Sequence, residues 1–201
     1  MYSFKPTPIP DHIAKVRNDV TLGIDFLYVQ GMPLLHNISR KIQFRMAQAV
    51  GNRQKKTIVE EVKNVIKIYT YRVFKVLDIH GDQEFKCILE DMSPTAAKIV
   101  TTDDHVDEVE SSIRVFKERC RCIIHQPPYK RYTKLKIIEL VCTALRGLNQ
   151  IPAEKGVSDR ISPLTIVTGW EKVDYNKHRC MRRTVGITQT YNYHLGQSHC
   201  P

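Results

Sequence analysis

Residues 20–29, VTLGIDFLYV, form a nearly continuous apolar run rich in β-branched and aromatic side chains. That composition suits a strand covered on both faces. Asp25 interrupts the run. A carboxylate inside such a strand is costly unless it is paired, protonated or bound to a metal, so Asp25 needs a reason to be there. A metal ligand is one reason, and a buried aspartate capping a neighbouring loop is the plainer alternative.

Working downstream, Gln30-Gly31 reads as a turn and Met32 to Ser39 as a second strand. Arg40-Lys41 turns the chain again, and Ile42, Phe44 and Met46 alternate with Gln43 and Arg45 as a half-exposed third strand would. Three adjacent strands in a meander follow. Ile58, Val62, Val65, Ile66 and Tyr69 then recur at three- and four-residue steps, which predicts an amphipathic helix over 54–69. Val73 to Ile79 reads as a fourth strand, parallel to its partner because a helical crossover leads into it. His80-Gly81-Asp82 falls at its carboxyl end, where open α/β sheets place ligands. Ala97 to Thr101 is a short fifth strand.

The clearest helix comes next. Val106, Val109, Ile113, Phe116, Cys120 and Ile123 step by three and four without a break and define its buried stripe. Glu110, Arg114, Lys117 and Arg121 share the neighbouring face by the same spacing. One carboxylate beside three cations suits metal and phosphate, while a solvated stripe held by a Glu110–Arg114 pair is the bland alternative. A last helix, 133–149, carries Leu135, Ile138, Val141, Cys142, Leu145 and Leu148 on one side. Residues 1–18 read as a loosely structured lead-in, 19–150 as the core, and 151–201 as a poorly defined, partly irregular extension.

Asp25, Asp82 and Glu110 therefore come from three separate segments, two strands and a helix. Such a set suits a hard divalent cation, because Mg²⁺ takes oxygen ligands and completes its sphere with substrate phosphates. Asp78 and Glu108 are the competing positions for the second and third carboxylates. Asp82 is preferred to Asp78 because it sits at a strand end rather than within the strand.

Composition narrows the partners. Over 201 residues, 31 Lys+Arg against 21 Asp+Glu give a net charge of +10, which points to a polyanion such as nucleic acid. Six cysteines without a CxxC pair point to reduced thiols inside the cell, in nucleus or cytoplasm. No apolar run approaches a membrane span, and no secretory h-region opens the chain. The histidines show no ligand spacing, so no structural zinc is expected.

The segments GIDFLYVQGMPLLHNISRKIQF (23–44), FKVLDIHGDQEFKCI (74–88), DDHVDEVESSIRVFKERCRCI (103–123) and SDRISPLTIVTGWEKVDYNKH (158–178) resemble the integrase region of copia-like LTR retrotransposon polyproteins. The resemblance runs from about Thr7 to about Thr190. It implies a ribonuclease-H-like α/β fold, a five-stranded mixed sheet flanked by helices. It also implies an acidic triad at Asp25, Asp82 and Glu110 that holds two Mg²⁺ or Mn²⁺ ions for DNA cleavage and strand transfer. Arg114, Lys117 and Arg121 would contact phosphates of element ends and target DNA without choosing sequence, and the protein would work as a homo-oligomer. Three departures stand out. The family's longer Asp-Asn-Gly-x-Glu-Phe phrase is here Asp82-Gln83-Glu84-Phe85, the Asp82–Glu110 interval is short, and His12 is the only His or Cys ahead of Asp25. The chain is expected to be a fragment of a longer polyprotein. A catalytically inactive nucleic-acid-binding remnant and a ribonuclease-H-like nuclease are the alternatives.

Overall fold

A computed structural model describes residues 6–16, 18–92, 96–99, 107–128 and 131–169. One sheet forms the middle layer, in the order β3-β2-β1-β4-β5. Its strands are β1 (Asp19–Val29), β2 (Met32–Ser39), β3 (Arg45–Ala49), β4 (Lys75–Gly81) and β5 (Ala96–Ile99). Among the described residues five α-helices accompany it: α1 (Asp11–Val16), α2 (Lys55–Thr70), α3 (Asp107–Ile124), α4 (Lys134–Asn149) and α5 (Pro163–Thr168). β1, β2 and β3 pair antiparallel, whereas β4 lies parallel to β1 after the α2 crossover and β5 parallel to β4. The mixed α/β class expected from the sequence is therefore the class observed.

The β1–β2 hairpin closes through Gln30 and Gly31, with φ of 50° and 76°. Two left-handed residues in succession match the right-handed twist of the flanking strands, and glycine takes the second position without strain.

β1 separates two cores. Val20, Leu22 and Ile24 join Ile58, Val62, Val65 and Tyr69 of α2 in one cluster. Leu27 and Val29 join Val109, Ile113 and Phe116 of α3 and Ile137, Val141 and Ala144 of α4 in the other. Successive side chains of a strand point to opposite faces, so alternate β1 residues feed opposite layers.

The structure corrects the expected boundaries at several points. The third strand begins at Arg45 rather than Ile42, because Gln43 takes φ 61° and its Nε2 donates to the Arg40 carbonyl at 2.9 Å. Ile42 and Phe44 are buried in that loop all the same, which is why their alternation imitated a strand. On α4 the buried side is Ile137, Leu140, Val141, Ala144 and Leu145. Leu135, Ile138 and Cys142 are exposed. Both sides of α4 carry apolar residues, so periodicity alone could not phase it. A 3₁₀ stretch, Gln83–Met92, fills the interval after Asp82 where the sequence suggested no element.

Residues on either side of 19–150 also pack into the α2-side core. In the lead-in, Ile13 of α1 is fully buried in the α2-side core. In the extension, Ser162 caps α5 by accepting from the Thr165 N–H at 3.2 Å, Pro163 starts the helix, and Ile166 and Val167 pack into that same core. A capping serine followed by proline is a legible start signal. Val106, Trp170 and the tail after it lie outside the described residues. Cys120, Cys122 and Cys142 are free thiols, and no helix among the described residues is long and apolar enough to cross a membrane.

Candidate functional site

Asp25 shares the α3 side of β1 with Leu27 and Val29, because all three are odd-numbered residues of one strand. It is only half-buried, and its Oδ1 accepts from the Phe26 N–H at 2.6 Å. Burial is the largest influence and raises its pKa, and the Phe26 N–H works in the opposite direction. The charges of Asp82 and Glu84 raise it further, while the Lys117 ammonium lowers it.

Asp82 approaches from β4. The parallel register pairs Gly23 with His80, and Asp82 follows directly after β4, near enough for its charge to raise the pKa of Asp25. Asp82 is exposed, and its Oδ1 accepts from the Gln83 N–H at 2.6 Å as the chain turns into the 3₁₀ stretch.

Glu110 lies in the first turn of α3 with Asp107 and Glu108, where carboxylates complement the helix dipole. It faces Asp25 across a cavity of about 270 Å³ lined by Asp25, Glu110, Ile113, Arg114, Lys117, Glu118 and Arg121. The helical spacing of Glu110, Arg114, Lys117 and Arg121 thus translates into one wall, with Asp25 on the other. Glu118 was not singled out from the sequence, although it stands four residues after Arg114 and its position on that wall follows from the same spacing.

The competing carboxylates occupy different surroundings. Glu108 accepts from Arg40 Nε at 3.1 Å and from Gln43 Nε2, so it ties the start of α3 to the β2–β3 loop. Asp78 lies inside β4, paired in register with Thr21 of β1 and Ala96 of β5. Glu84, which the sequence did not mark, contributes to the field at Asp25 and binds Arg53 Nη1 at 3.2 Å. The Arg53 guanidinium in turn stacks over Phe26 and Tyr28.

Asp25 and Glu110 therefore share a cavity, and Asp82 adjoins Asp25 from outside its lining. Among the described residues no three His, Cys, Asp or Glu side chains stand close enough together to form a metal-holding group. The donor chemistry nonetheless fits a hard divalent cation. All three side chains offer oxygen, and Asp25 is held under burial and two neighbouring negative charges that a cation would offset.

No protein-family profile matches the chain, and no curated protein matches it either. Among solved structures, the catalytic core domain of BIV integrase superposes with a TM-score of 0.52 at 13% identity, covering 80% of this chain and 97% of that one. The likeness is one of fold, a mixed sheet with flanking helices.

Proposed function

We propose that this chain is a retroelement polynucleotidyl transferase of the copia-like integrase kind, which cleaves DNA and joins strands with divalent metal. One observation carries the reading: Asp25 of β1 and Glu110 of α3 face a common cavity whose wall also bears Arg114, Lys117 and Arg121. Carboxylates alone would suit many cation sites. Carboxylates beside three cations suit a site where metal and phosphate meet.

Asp25, Asp82 and Glu110 would hold Mg²⁺ or Mn²⁺, which when bound supplies Lewis acidity at phosphorus and activates a water or a 3′-hydroxyl. The chain's own contributions follow from its charges. Arg114, Lys117 and Arg121 draw a phosphate backbone along α3 towards the carboxylates. Because they meet phosphates rather than bases, they give affinity without sequence choice. Lys117 also favours the ionised form of Asp25, the form that ligates metal.

A second reading, a catalytically inactive nucleic-acid-binding remnant, draws support from the absence of a compact three-ligand group among the described residues. Mn²⁺- and Mg²⁺-dependent cutting and joining of a branched DNA substrate separates the two, with Asp82→Asn and Glu110→Gln as controls. Joining that both substitutions abolish is the expected result. Salt-sensitive DNA binding without any chemistry would establish the remnant, and cutting without joining would establish a nuclease.

A further inference from the structure

Glu110 sits on α3 between two residues that are tied to other elements. On one side Glu108 binds Arg40 and Gln43. On the other, Ser112 is buried, and its Oγ lies 2.9 Å from Nε2 of His36 and accepts from Arg45 Nε at 3.1 Å. His36 is fully buried on β2, pairs in register with Asp25, and stacks its ring on Phe116 of α3. Arg45 begins β3 and is itself fixed, since its N–H donates to Asn149 Oδ1 at 2.9 Å and its carbonyl accepts from Asn149 Nδ2 at 2.7 Å.

The other determinant is a missing side chain. A Cβ at Gly23 would overlap Cγ2 of Val109, the residue next to Glu110. Gly23 lies two residues from Asp25 on the same face of β1, so the helix comes close against the sheet beside both carboxylates. Glycine in a strand interior weakens the strand, and close approach of another element is a reason to keep it there.

We propose that Gly23 and the buried His36–Ser112–Arg45 bridge set how deeply α3 seats on β1, and thereby set the gap between Glu110 and Asp25. They are positioning residues, and their role in catalysis rests on the reading of Asp25 and Glu110 as metal-holding carboxylates. The glycine permits the close approach, and the bridge holds the helix down onto it.

The test compares full-length Gly23→Ala, Gly23→Ala/Val109→Ala, Ser112→Ala and a control, Val62→Ala, in the opposite core. Two readouts are taken: nuclear Overhauser contacts from the Ile113 methyls to Leu27 and Ile38, which every variant retains, and the rate of Mn²⁺-dependent DNA cleavage. Gly23→Ala is expected to weaken those contacts and lower the rate about 100-fold, the cost of an ångström-scale misplacement. Removing the Val109 methyls should restore the rate to within about tenfold of the parent on the same scale. Val62→Ala should lose stability without losing rate, which separates positioning from a general weakening of the fold.

If Gly23→Ala folds with unchanged contacts, or if the double variant fails to recover them, the proposal is overturned. Should Gly23→Ala not fold, the double variant and Ser112→Ala decide by the same contacts. A parent protein with no Mn²⁺-dependent activity would instead defeat the functional reading, and the methyl contacts would still decide the seating of α3.

Discussion

The two faces of the sheet use the same strand for opposite ends. On the α2 side, Val20, Leu22 and Ile24 meet Ile58, Val62, Val65 and Tyr69 in a largely apolar cluster. On the α3 side, the intervening residues of β1 include Gly23 and Asp25, and the neighbouring buried positions include His36 and Ser112. Apolar burial gives the first face stability at roughly 25 cal/mol per Å². The second face gives up some of that to hold charges and hydrogen bonds at defined places. Alternate residues of one strand thus divide the work of folding from the work of the site.

Breaking each face should have opposite signatures. Leu22→Ala, from a fully buried position on the α2 side, is expected to cost about 3 kcal/mol through lost contacts and a residual cavity. Below its melting point the variant should cleave DNA at nearly the parental rate. Asp25→Asn should do the reverse. Because burial and the Asp82 and Glu84 charges raise the pKa of Asp25, its ionised form destabilises the fold, and removing the charge should raise the melting temperature. Activity should fall about 1000-fold or more, since several kcal/mol of charge stabilisation are lost at about 1.4 kcal/mol per tenfold. Thermal melts beside cleavage rates check the pair. A stable, inactive Leu22→Ala or an unstable, active Asp25→Asn would reverse the assignment of the faces.

The polar face should also respond to acid. Burial first, and then the Arg45 guanidinium, push the His36 imidazole down to about 3. The unfolded chain takes up this proton near the ordinary value of 6.5, whereas the folded chain refuses it until about pH 3. Stability from this residue is therefore complete above pH 6.5 and lost as pH falls towards 3. Between pH 6.5 and 5 the loss is about 2 kcal/mol at 1.36 kcal/mol per unit. Denaturant midpoints of the parent and His36→Gln, compared across that range, should show the steeper decline in the parent. Parallel curves would mean that His36 is already accessible to protons in the fold.

The apolar face was more legible in the sequence than the polar one. The three- and four-residue steps of α2 and the helical phase of α3 translate directly into buried stripes, and that phase also placed Glu110, Arg114, Lys117 and Arg121 on one wall. Asp25 stood out because a carboxylate in an apolar strand has no cheap explanation. Gly23 and His36 gave no comparable signal. A glycine's value here lies in Val109, 86 positions away in sequence, and a histidine without ligand spacing reads as ordinary until its partner Ser112 is known. The exposed apolar residues of α4 misled for a related reason: burial is decided by neighbours that periodicity does not name.

The smallest expected effect separates the two glutamates at the start of α3. The Arg40–Glu108 pair is partly solvated, with side-chain exposures of 50% and 29%, so screening limits it to less than about 1 kcal/mol. Glu108→Gln keeps one acceptor oxygen, which can serve Arg40 or Gln43 but not both, and loses the charge, and it should leave the melting temperature nearly unchanged and the cleavage rate within a few-fold. Glu110→Gln, two residues on, removes a carboxylate from the cavity wall and should abolish cleavage at similar stability. If the effects exchange places, Glu108 is the ligand and α3 must rotate to present it. Such a rotation would pull Ser112 off His36, so the hydrogen bond between β2 and α3 would have to break for the alternative to hold.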